Sequence, residues 1–216
     1  MALLHVNPTR MELTRLKNRL RTARRGHKLL KDKRDELMKQ FLEIMRSSRD
    51  LRIKVEAAFE RAHASFTTAS AIMSPQMLEQ ALVYPRQSVS IEMGFKNIMS
   101  VSVPVYDLKT NNDEPGEIYT YGFAMTSGEL DDALLLLDET FKEMINLAQL
   151  EKSLQLLACE IEKTRRRVNA LEHVMIPQLE ETTKYITMKL DENERGNITR
   201  LMKVKEMILK QTGYGS

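Results

Sequence analysis

The sequence is poor in the residues that build disulfide-linked, aromatic or membrane-spanning domains. It has 216 residues with one cysteine (Cys159), eight glycines, six prolines, no tryptophan and 6% aromatics. A single cysteine excludes an internal disulfide and is typical of a reducing compartment. The longest aliphatic run, Ala133 to Leu137, is too short for a membrane span, and the apolar run near the start is too short for a signal peptide. We therefore expect a cytoplasmic protein, soluble or peripheral to a membrane through a partner.

The chain also lacks the patterns that mark an active site. Neither a Gly-x-x-x-x-Gly-Lys nor a Gly-x-Gly-x-x-Gly phosphate loop occurs. The four histidines have no metal-ligand spacing with one another or with Cys159, which lies in a predicted helix without a second cysteine nearby. No nucleophile motif accompanies the serines. We predict no catalytic residue, no cofactor and no metal, and therefore no enzyme.

Charge is distributed unevenly along the chain. Residues 10–39 hold twelve Lys or Arg and four acids, a net charge of +8, whereas residues 107–151 hold eleven acids and two bases, a net charge of −9. The formal net charge of the whole chain is only +3. Two oppositely charged regions indicate two different neighbours.

Apolar residues recur at spacings of three and four from Leu13 to Ile72, at fourteen of eighteen positions. This heptad pattern, with no proline between Pro8 and Pro75, predicts one long coiled-coil helix over about residues 9–73. Thr9 and Glu12 have capping-box spacing at its start. His27 lies on the pattern, where a polar residue more often fixes register than binds a ligand.

The pattern changes after Ser74-Pro75, which ends the first helix and begins a short one through Leu82. Residues 88–93, 100–106 and 118–123 alternate apolar and polar side chains and are predicted strands. The polar segment 107–117 is predicted to be the loop of a hairpin between the last two. Such a hairpin needs support from the helices or from a partner.

A second long helix is predicted to start at a capping box of Thr126 and Glu129 and to run to about Lys210. Its apolar spacing holds up to Met175 and then shifts, and Pro177 is expected to bend it. The predicted fold is mainly α: an antiparallel two-helix coiled coil of the first and last helices, with a small hairpin-containing insert at the turn. The predicted segments are 1–74, 75–126 and 127–216. The predicted seam consists of Leu13, Leu16, Leu20, Leu30, Leu37, Phe41, Ile44, Leu51, Val55, Leu150, Leu154, Leu157, Ile161, Val168 and Leu171.

The basic first helix leaves several interpretations open. It could be the solvated flank of a coiled coil, including one in a scaffold homodimer. It could bind nucleic acid phosphates, although residues 1–40 contain no aromatic residue for base stacking. Membrane adhesion is less consistent with an apolar stripe only as wide as a coiled-coil seam.

Four segments resemble the D subunit of the V-type (vacuolar and archaeal/bacterial) ATPases. They are NPTRMELTRLKNRL at 7–20, RRGHKLLKDKRDEL at 24–37, GELDDALLLLDETFKEMINLAQLEKSL at 128–154 and RRRVNALEHVMIPQLEETTKYI at 165–186. The resemblance implies a non-catalytic central-stalk rotor axle that couples an ATP-hydrolysing hexamer of A and B subunits to a membrane ion-translocating ring. It also implies the F subunit and a membrane-side funnel subunit (C/d type) as partners, with no nucleic acid and no direct membrane insertion. Whether the ion is Na⁺ or H⁺, and whether the complex pumps or makes ATP, stays open.

On this interpretation, exposed bases of both helices would form a basic collar facing the hexamer. The collar consists of Arg10, Arg15, Lys17, Arg21, Arg24, Arg25, Lys28, Arg165, Arg166 and Arg167. Gly26 and Pro177 interrupt helical ideality within the same motifs. Close helix packing at Gly26 and a simple bend at Pro177 are the plainer interpretations; an eccentric axle is the functional one.

Overall fold

The protein is described by a computed structural model. The structure describes residues 6–83, 87–112, 119, 121, 122, 126–211 and 213. It confirms the predicted fold class, with long helices first and last and an antiparallel hairpin between them. The elements are α1 (Arg10–Ile72), α2 (Pro75–Leu82), β1 (Gln87–Ile98), β2 (Val101–Asn112), α3 (Gly128–Ala170), a π-helical turn (Leu171–Met175) and α4 (Ile176–Gln211).

Capping and proline chemistry set the ends of α1. The hydroxyl of Thr9 accepts a hydrogen bond from the amide of Glu12 at 3.3 Å, which satisfies one of the free N–H groups of the first turn. At the other end, α1 stops before Ser74, and Pro75 opens α2 at a position where its missing N–H costs nothing.

The start of α3 differs from the prediction by one residue. Ser127, not Thr126, provides the cap, since its hydroxyl accepts the amide hydrogen of Glu129 at 3.3 Å. The Thr126 hydroxyl instead donates to the carbonyl of Gly122. Adjacent Thr and Ser are both good caps, and the choice depends on the backbone that enters the helix.

The chain forms two compact units, and both α1 and α3 contribute to each of them. We call residues up to Arg34 together with those from Glu162 onward the terminal unit, and Asp35–Ile161 the central unit. In the terminal unit, α1 and α4 run antiparallel: Arg10 pairs with Glu194, and Arg24, fourteen residues later, pairs with Glu180, fourteen residues earlier.

The apolar core of the terminal unit is narrow. Leu16 and Ala23 of α1 and Leu179 and Ile186 of α4 are buried together. Half-buried residues surround them, namely Leu13, Leu20, Leu171, Ile176 and Leu190. From Asp191 to Lys210 every side chain of α4 is exposed.

The π-helical turn changes which residue continues the seam toward α4. The amide of Ile176 donates to the carbonyl of Leu171, five residues back instead of four. As a result, Ile176 is half-buried against the core, whereas Met175 is 43% exposed. This turn ends two residues before Pro177. The backbone irregularity expected at the proline is therefore one additional residue within a single helical turn.

The central unit buries its residues in two clusters. Leu37, Leu157 and Ile161 of the helices pack with Val101 of β2 in the first. Ala69, Met73, Ala81 and Leu130 form the second, with Tyr121 packed against it. The predicted continuation of the apolar pattern to Ile72 is wrong at its last position, because Ile72 is 66% exposed and Met73 is buried.

The hairpin pairs different segments from those predicted. β1 and β2 are in continuous register from Gln87 opposite Asn112 to Ile98 opposite Val101. The turn is Met99–Ser100, and both residues have positive φ, 48° and 73°, as a two-residue hairpin turn with the right twist requires. The Asn97 side chain accepts the amide hydrogen of Ser100 at 2.9 Å.

The predicted loop at 107–117 is therefore wrong in its first six residues, which belong to β2. Residues 113–118, 120 and 123 lie outside the described part of the chain. Tyr119, Tyr121 and Gly122, from the predicted third strand, are not in a strand. The hairpin rests on the helices through Val101, which packs with Leu157 and Ile161, and through the Tyr106 amide, which donates to the Gln149 side chain at 2.8 Å.

Candidate interaction surface

Five predicted collar cations line one shallow groove of about 460 Å³ on α1 in the terminal unit. Together with Leu20, which is half-buried on the seam, they form what we call the basic groove. Its lining is Lys17, Leu20, Arg21, Arg24, Arg25 and Lys28. Because helical residues three and four apart share a face, the cations stand side by side along the flank of the seam.

Little of this positive charge is neutralised by the chain itself. Arg24 contacts Glu180 at 2.6 Å, but both side chains are about half exposed, and such pairs contribute little to stability. Among the described residues, Lys17, Arg21, Arg25 and Lys28 have no carboxylate within ion-pair distance. The groove therefore presents an uncompensated positive surface to solvent.

The remaining collar residues are not part of the groove lining. Arg10 contacts Glu194 at 3.7 Å. Arg15 contacts Glu12 of its own helix at 3.2 Å, and Arg166 pairs with Glu162 on α3. Arg165 and Arg167 are exposed on α3. The structure brings together half of the predicted collar.

The predicted seam residues lie on the inward faces of the helices. Six of the fifteen are buried: Leu16, Leu37, Val55, Leu157, Ile161 and Val168. The other nine are half-buried: Leu13, Leu20, Leu30, Phe41, Ile44, Leu51, Leu150, Leu154 and Leu171. The seam face of α1 is thus used within this chain.

Gly26 and His27, adjacent residues of α1, lie in different environments. A β-carbon added to Gly26 would meet no atom within 4 Å, so close helix approach does not explain this glycine. The His27 ring lies 3.3 Å from the Glu172 carboxylate in the π-helical turn, and its side chain is 20% exposed. It therefore links α1 to the irregular turn.

The sequence did not reveal the partners of Arg24 and His27. Glu180 and Glu172 are on the far helix, and their pairing with Arg24 and His27 depends on interhelix register. In the described ranges, no three His, Cys, Asp or Glu residues are grouped to hold a metal ion. No helix among those ranges is long and apolar enough to cross a bilayer.

Comparison with known proteins identifies the family. The family model for the D subunit of ATP synthase matches residues 12–206. The chain belongs to the ATP synthase D-subunit family. It is 64% identical over 211 residues to the V-type ATP synthase D subunit of Acetivibrio thermocellus, covering 98% of this chain and 95% of that protein. It is 60% identical to the D subunit of Clostridioides difficile with the same coverage, and 56% identical over 212 residues to that of Clostridium novyi, covering 98% of both chains.

The family match includes the features described above. The span 12–206 contains the whole basic groove, the hairpin and the π-helical turn, and of the predicted collar only Arg10 lies outside it. The D subunit of a V-type ATP synthase works within a complex. A charged outer surface on a helix pair whose seam is already occupied is suited to such a role.

Proposed function

We propose that the chain is the central rotor axle of a V-type ATP synthase. It transmits torque between the ATP-hydrolysing A/B hexamer and the membrane ion-translocating ring, and it performs no catalysis itself. Its partners are the A, B and F subunits and the membrane-side funnel subunit. It is peripheral to the membrane on the cytoplasmic side, with no direct insertion into the bilayer.

The observation that carries this proposal is the basic groove beside an occupied seam. In the terminal unit, α1 uses its apolar face on α4, so contacts with other subunits involve charged side chains. Charged contacts exchange more readily than interlocked apolar side chains, which is what a surface needs if it turns past successive catalytic sites. Electrostatic complementarity also governs register and the rate of association.

The groove lacks the base-stacking side chains that single-stranded nucleic acid sites use. Its lining is lysine, arginine and leucine, with no aromatic side chain to stack on bases. The groove therefore favours carboxylate surfaces of partner subunits over nucleic acid.

The direct test adds the purified chain to an A/B hexamer prepared without an axle, in the presence and absence of the F subunit. We expect one copy to bind per hexamer and to change the rate of ATP hydrolysis. Absence of binding with the F subunit supplied, together with salt-sensitive binding to duplex DNA, would overturn the proposal in favour of nucleic acid.

The basic groove is tested by a matched pair of variants. Arg25→Gln with Lys28→Gln removes two groove cations, whereas Arg19→Gln with Lys31→Gln removes two exposed cations of the same helix outside both the groove and the predicted collar. We expect the first variant to weaken hexamer binding roughly tenfold at low salt, with the difference shrinking as salt screens the charges. Equal affinities for the two variants would exclude the groove as a contact surface.

A further inference from the structure

Two adjacent apolar residues at the end of the π-helical turn compete for one position in the core of the terminal unit. Ile176 is half-buried against that core, whereas its neighbour Met175 is 43% exposed. The amide of Ile176 donates to the carbonyl of Leu171, so the turn holds one residue more than an α-helical turn. In a regular α-helix the side chain four residues after Leu171 shares its face, and that side chain is Met175. Either geometry therefore places an apolar side chain in the seam.

The seam on both sides of the turn is compatible with either geometry. Val168 is buried and Leu171 half-buried before the turn, and Leu179 and Ile186 are buried after it. Leu171 and Leu179 are eight residues apart, which is one heptad plus the extra residue of the π-helical turn. Without that turn, the same residues form two α-helical steps of four through Met175, a phase shift that locally unwinds a left-handed supercoil. The two geometries therefore differ in the local twist of the helix pair.

The facing part of α1 leaves room beside the turn. His27 occupies the seam position at this level, and its ring lies 3.3 Å from the Glu172 carboxylate. Its neighbour Gly26 has no side chain, and a β-carbon there would meet no atom within 4 Å. On the turn itself, the side chains of residues 172–175 are all exposed. A change of backbone geometry at the turn therefore disturbs little buried surface.

Pro177 favours the π-helical geometry. In a regular α-helix its ring clashes with the carbonyl of His173, four residues back, and it has no N–H to donate to that carbonyl. The wider turn over the same stretch relieves the clash. Without a proline, a π-helical turn is less favourable than an α-helical one, as its rarity shows. The proline and the intrinsic preference of the backbone therefore oppose each other.

We propose that the π-helical turn is a torsional switch that exchanges Ile176 for Met175 in the seam of the terminal unit. In the second geometry the turn is α-helical, so α4 is rotated by about 100° about its axis and displaced by about 1.5 Å relative to the end of α3. Because Leu179 and Ile186 remain in the seam, the helix pair takes up this rotation by unwinding its supercoil. Met175 suits the alternate position because its flexible side chain fills irregular space.

The use of such a switch rests on the proposed function. An axle under torque yields first where two twists of similar free energy are available, and the switch places that position at a single helical turn. Torque that accumulates between catalytic steps drives the turn into the α-helical geometry, and the return to the π-helical geometry releases the stored rotation. The axle then has a local elastic element instead of uniform stiffness.

Oxidation of Met175 by dilute peroxide distinguishes the two geometries in the isolated full chain, because the rate depends on exposure. Pro177→Ala removes the ring clash and restores an amide, so it favours the α-helical geometry, in which Met175 lies in the seam. Met11 of α1, which is 85% exposed, is the internal reference. We expect the oxidation rate of Met175 relative to Met11 to fall about threefold or more in this variant. An unchanged ratio would overturn the switch.

A deletion provides the matched control. Deleting Val174 in the Pro177→Ala background removes the extra residue, so Ile176 lies four residues after Leu171 in a regular α-helix and no second geometry is available. We expect Met175 then to oxidise at the rate of the unaltered chain, because it lies beside the seam. Slow oxidation in this variant as well would show that loss of the proline alone protects Met175, and the switch would be wrong. Circular dichroism checks folding, and Pro177→Ser repeats the test if Pro177→Ala does not fold.

Single-molecule rotation tests the mechanical role in the assembled complex. The hexamer is fixed to a surface, and a bead is attached through Ser88→Cys on the hairpin, with Cys159→Ser to remove the native thiol. Exchange between two geometries adds to the thermal angular spread of the bead, so we expect the Val174 deletion in the Pro177→Ala background to reduce its variance about twofold.

The failures of the switch and of the axle role are distinguishable. If the unaltered chain does not bind the hexamer, the proposed function is wrong, and oxidation of Met175 in the isolated chain still decides whether the switch exists. If both chains bind and rotate with equal angular variance, the turn does not act as an elastic element and the axle role stands.

Discussion

The terminal and central units use the same helix, α1, in different ways. In the terminal unit α1 packs on α4 along a narrow seam, with ion pairs at its edges and the basic groove beside it. In the central unit α1 packs on α3, and the hairpin adds Val101 to the same core. The 3–4 pattern of α1 continues through both.

The difference shows that a continuous heptad pattern in one helix does not determine whether the helix packed against it is regular or contains a π-helical turn. Against the terminal part of α1, the facing segment needs a π-helical turn so that Ile176 meets the core. Against the central part, α3 is regular, and Leu157 is fully buried because a strand covers one side of the helix pair.

The largest effect is expected from single-residue deletions in the terminal unit, both made with Pro177→Ala to remove the proline constraint. Lys184 is exposed on α4. Deleting it rotates the following residues about the helix axis and moves Ile186 off the seam. The free energy of unfolding should fall by about 5 kcal/mol, the upper end of the cost of losing a large buried side chain, because Leu190 is displaced together with Ile186. Deleting Val174 removes the extra residue of the π-helical turn and leaves Ile176 four residues after Leu171, so the expected loss is under about 1 kcal/mol. Urea unfolding followed by circular dichroism measures both, and equal losses would show that the turn is not a one-residue insertion.

A leucine pair compares the two cores directly. Leu157→Ala in the central unit should lower the free energy of unfolding by about 4 kcal/mol, because the side chain is enclosed by helix and strand. Leu179→Ala in the terminal unit should cost about 2 kcal/mol, because its half-buried neighbours let the cavity open to water. Urea unfolding again supplies the values. A larger loss for Leu179→Ala would reverse the ranking of the two cores.

The Tyr121–Asp131 hydrogen bond in the central unit predicts a pH dependence. The Tyr121 hydroxyl donates to Asp131 at 2.6 Å, and burial, followed by this hydrogen bond, raises the pKa of Tyr121 well above its ordinary value. A raised folded-state pKa gives stability that is complete below the unfolded value of about 10 and is lost as pH rises above it. Tyr121→Phe should therefore lower the unfolding free energy by about 1 kcal/mol at pH 7 and weaken the loss above about pH 10.

The control for that measurement is Tyr185→Phe in the terminal unit, where the ring is 41% exposed. Little change is expected at either pH. If the unaltered chain and Tyr121→Phe lost the same stability between about pH 9 and pH 11, the hydrogen bond would not be responsible for the alkaline dependence.

The smallest effect concerns the glycines of the terminal unit. Gly26 and Gly196 both lie in helices, and a β-carbon at either would meet nothing within 4 Å. Gly26→Ala and Gly196→Ala should each raise the unfolding free energy by about 0.5 kcal/mol through helix propensity. If Gly26→Ala lowered the unfolding free energy while Gly196→Ala raised it, Gly26 would have to lie against a neighbouring group, contrary to the structure. Thermal unfolding by circular dichroism resolves the difference.

Local signals predict the helices well. The Thr9 cap, the break at Ser74-Pro75 and the 3–4 pattern give α1 almost to the residue, because capping, proline geometry and amphipathic periodicity act within a few residues. The basic surface is predictable in the same way, since exposed cations follow from helix phase.

Non-local pairings are not predictable in this way. The turn at Met99–Ser100 carries none of the Asn-Gly or Asp-Gly chemistry that announces a hairpin, so the alternation alone indicates the wrong pair of segments.

By itself the sequence determined that two long helices form, that the first is strongly basic and that its apolar face is a seam, because these follow from side-chain periodicity and charge. Only the tertiary structure decided that Ile176 rather than Met175 meets the core, that β1 pairs with β2, and that Glu180 meets Arg24 while Lys17, Arg21, Arg25 and Lys28 stay unpaired within the described residues. These outcomes depend on interhelix register and on strand pairing. Both are fixed by contacts between residues far apart in the chain, whose energies no local window contains.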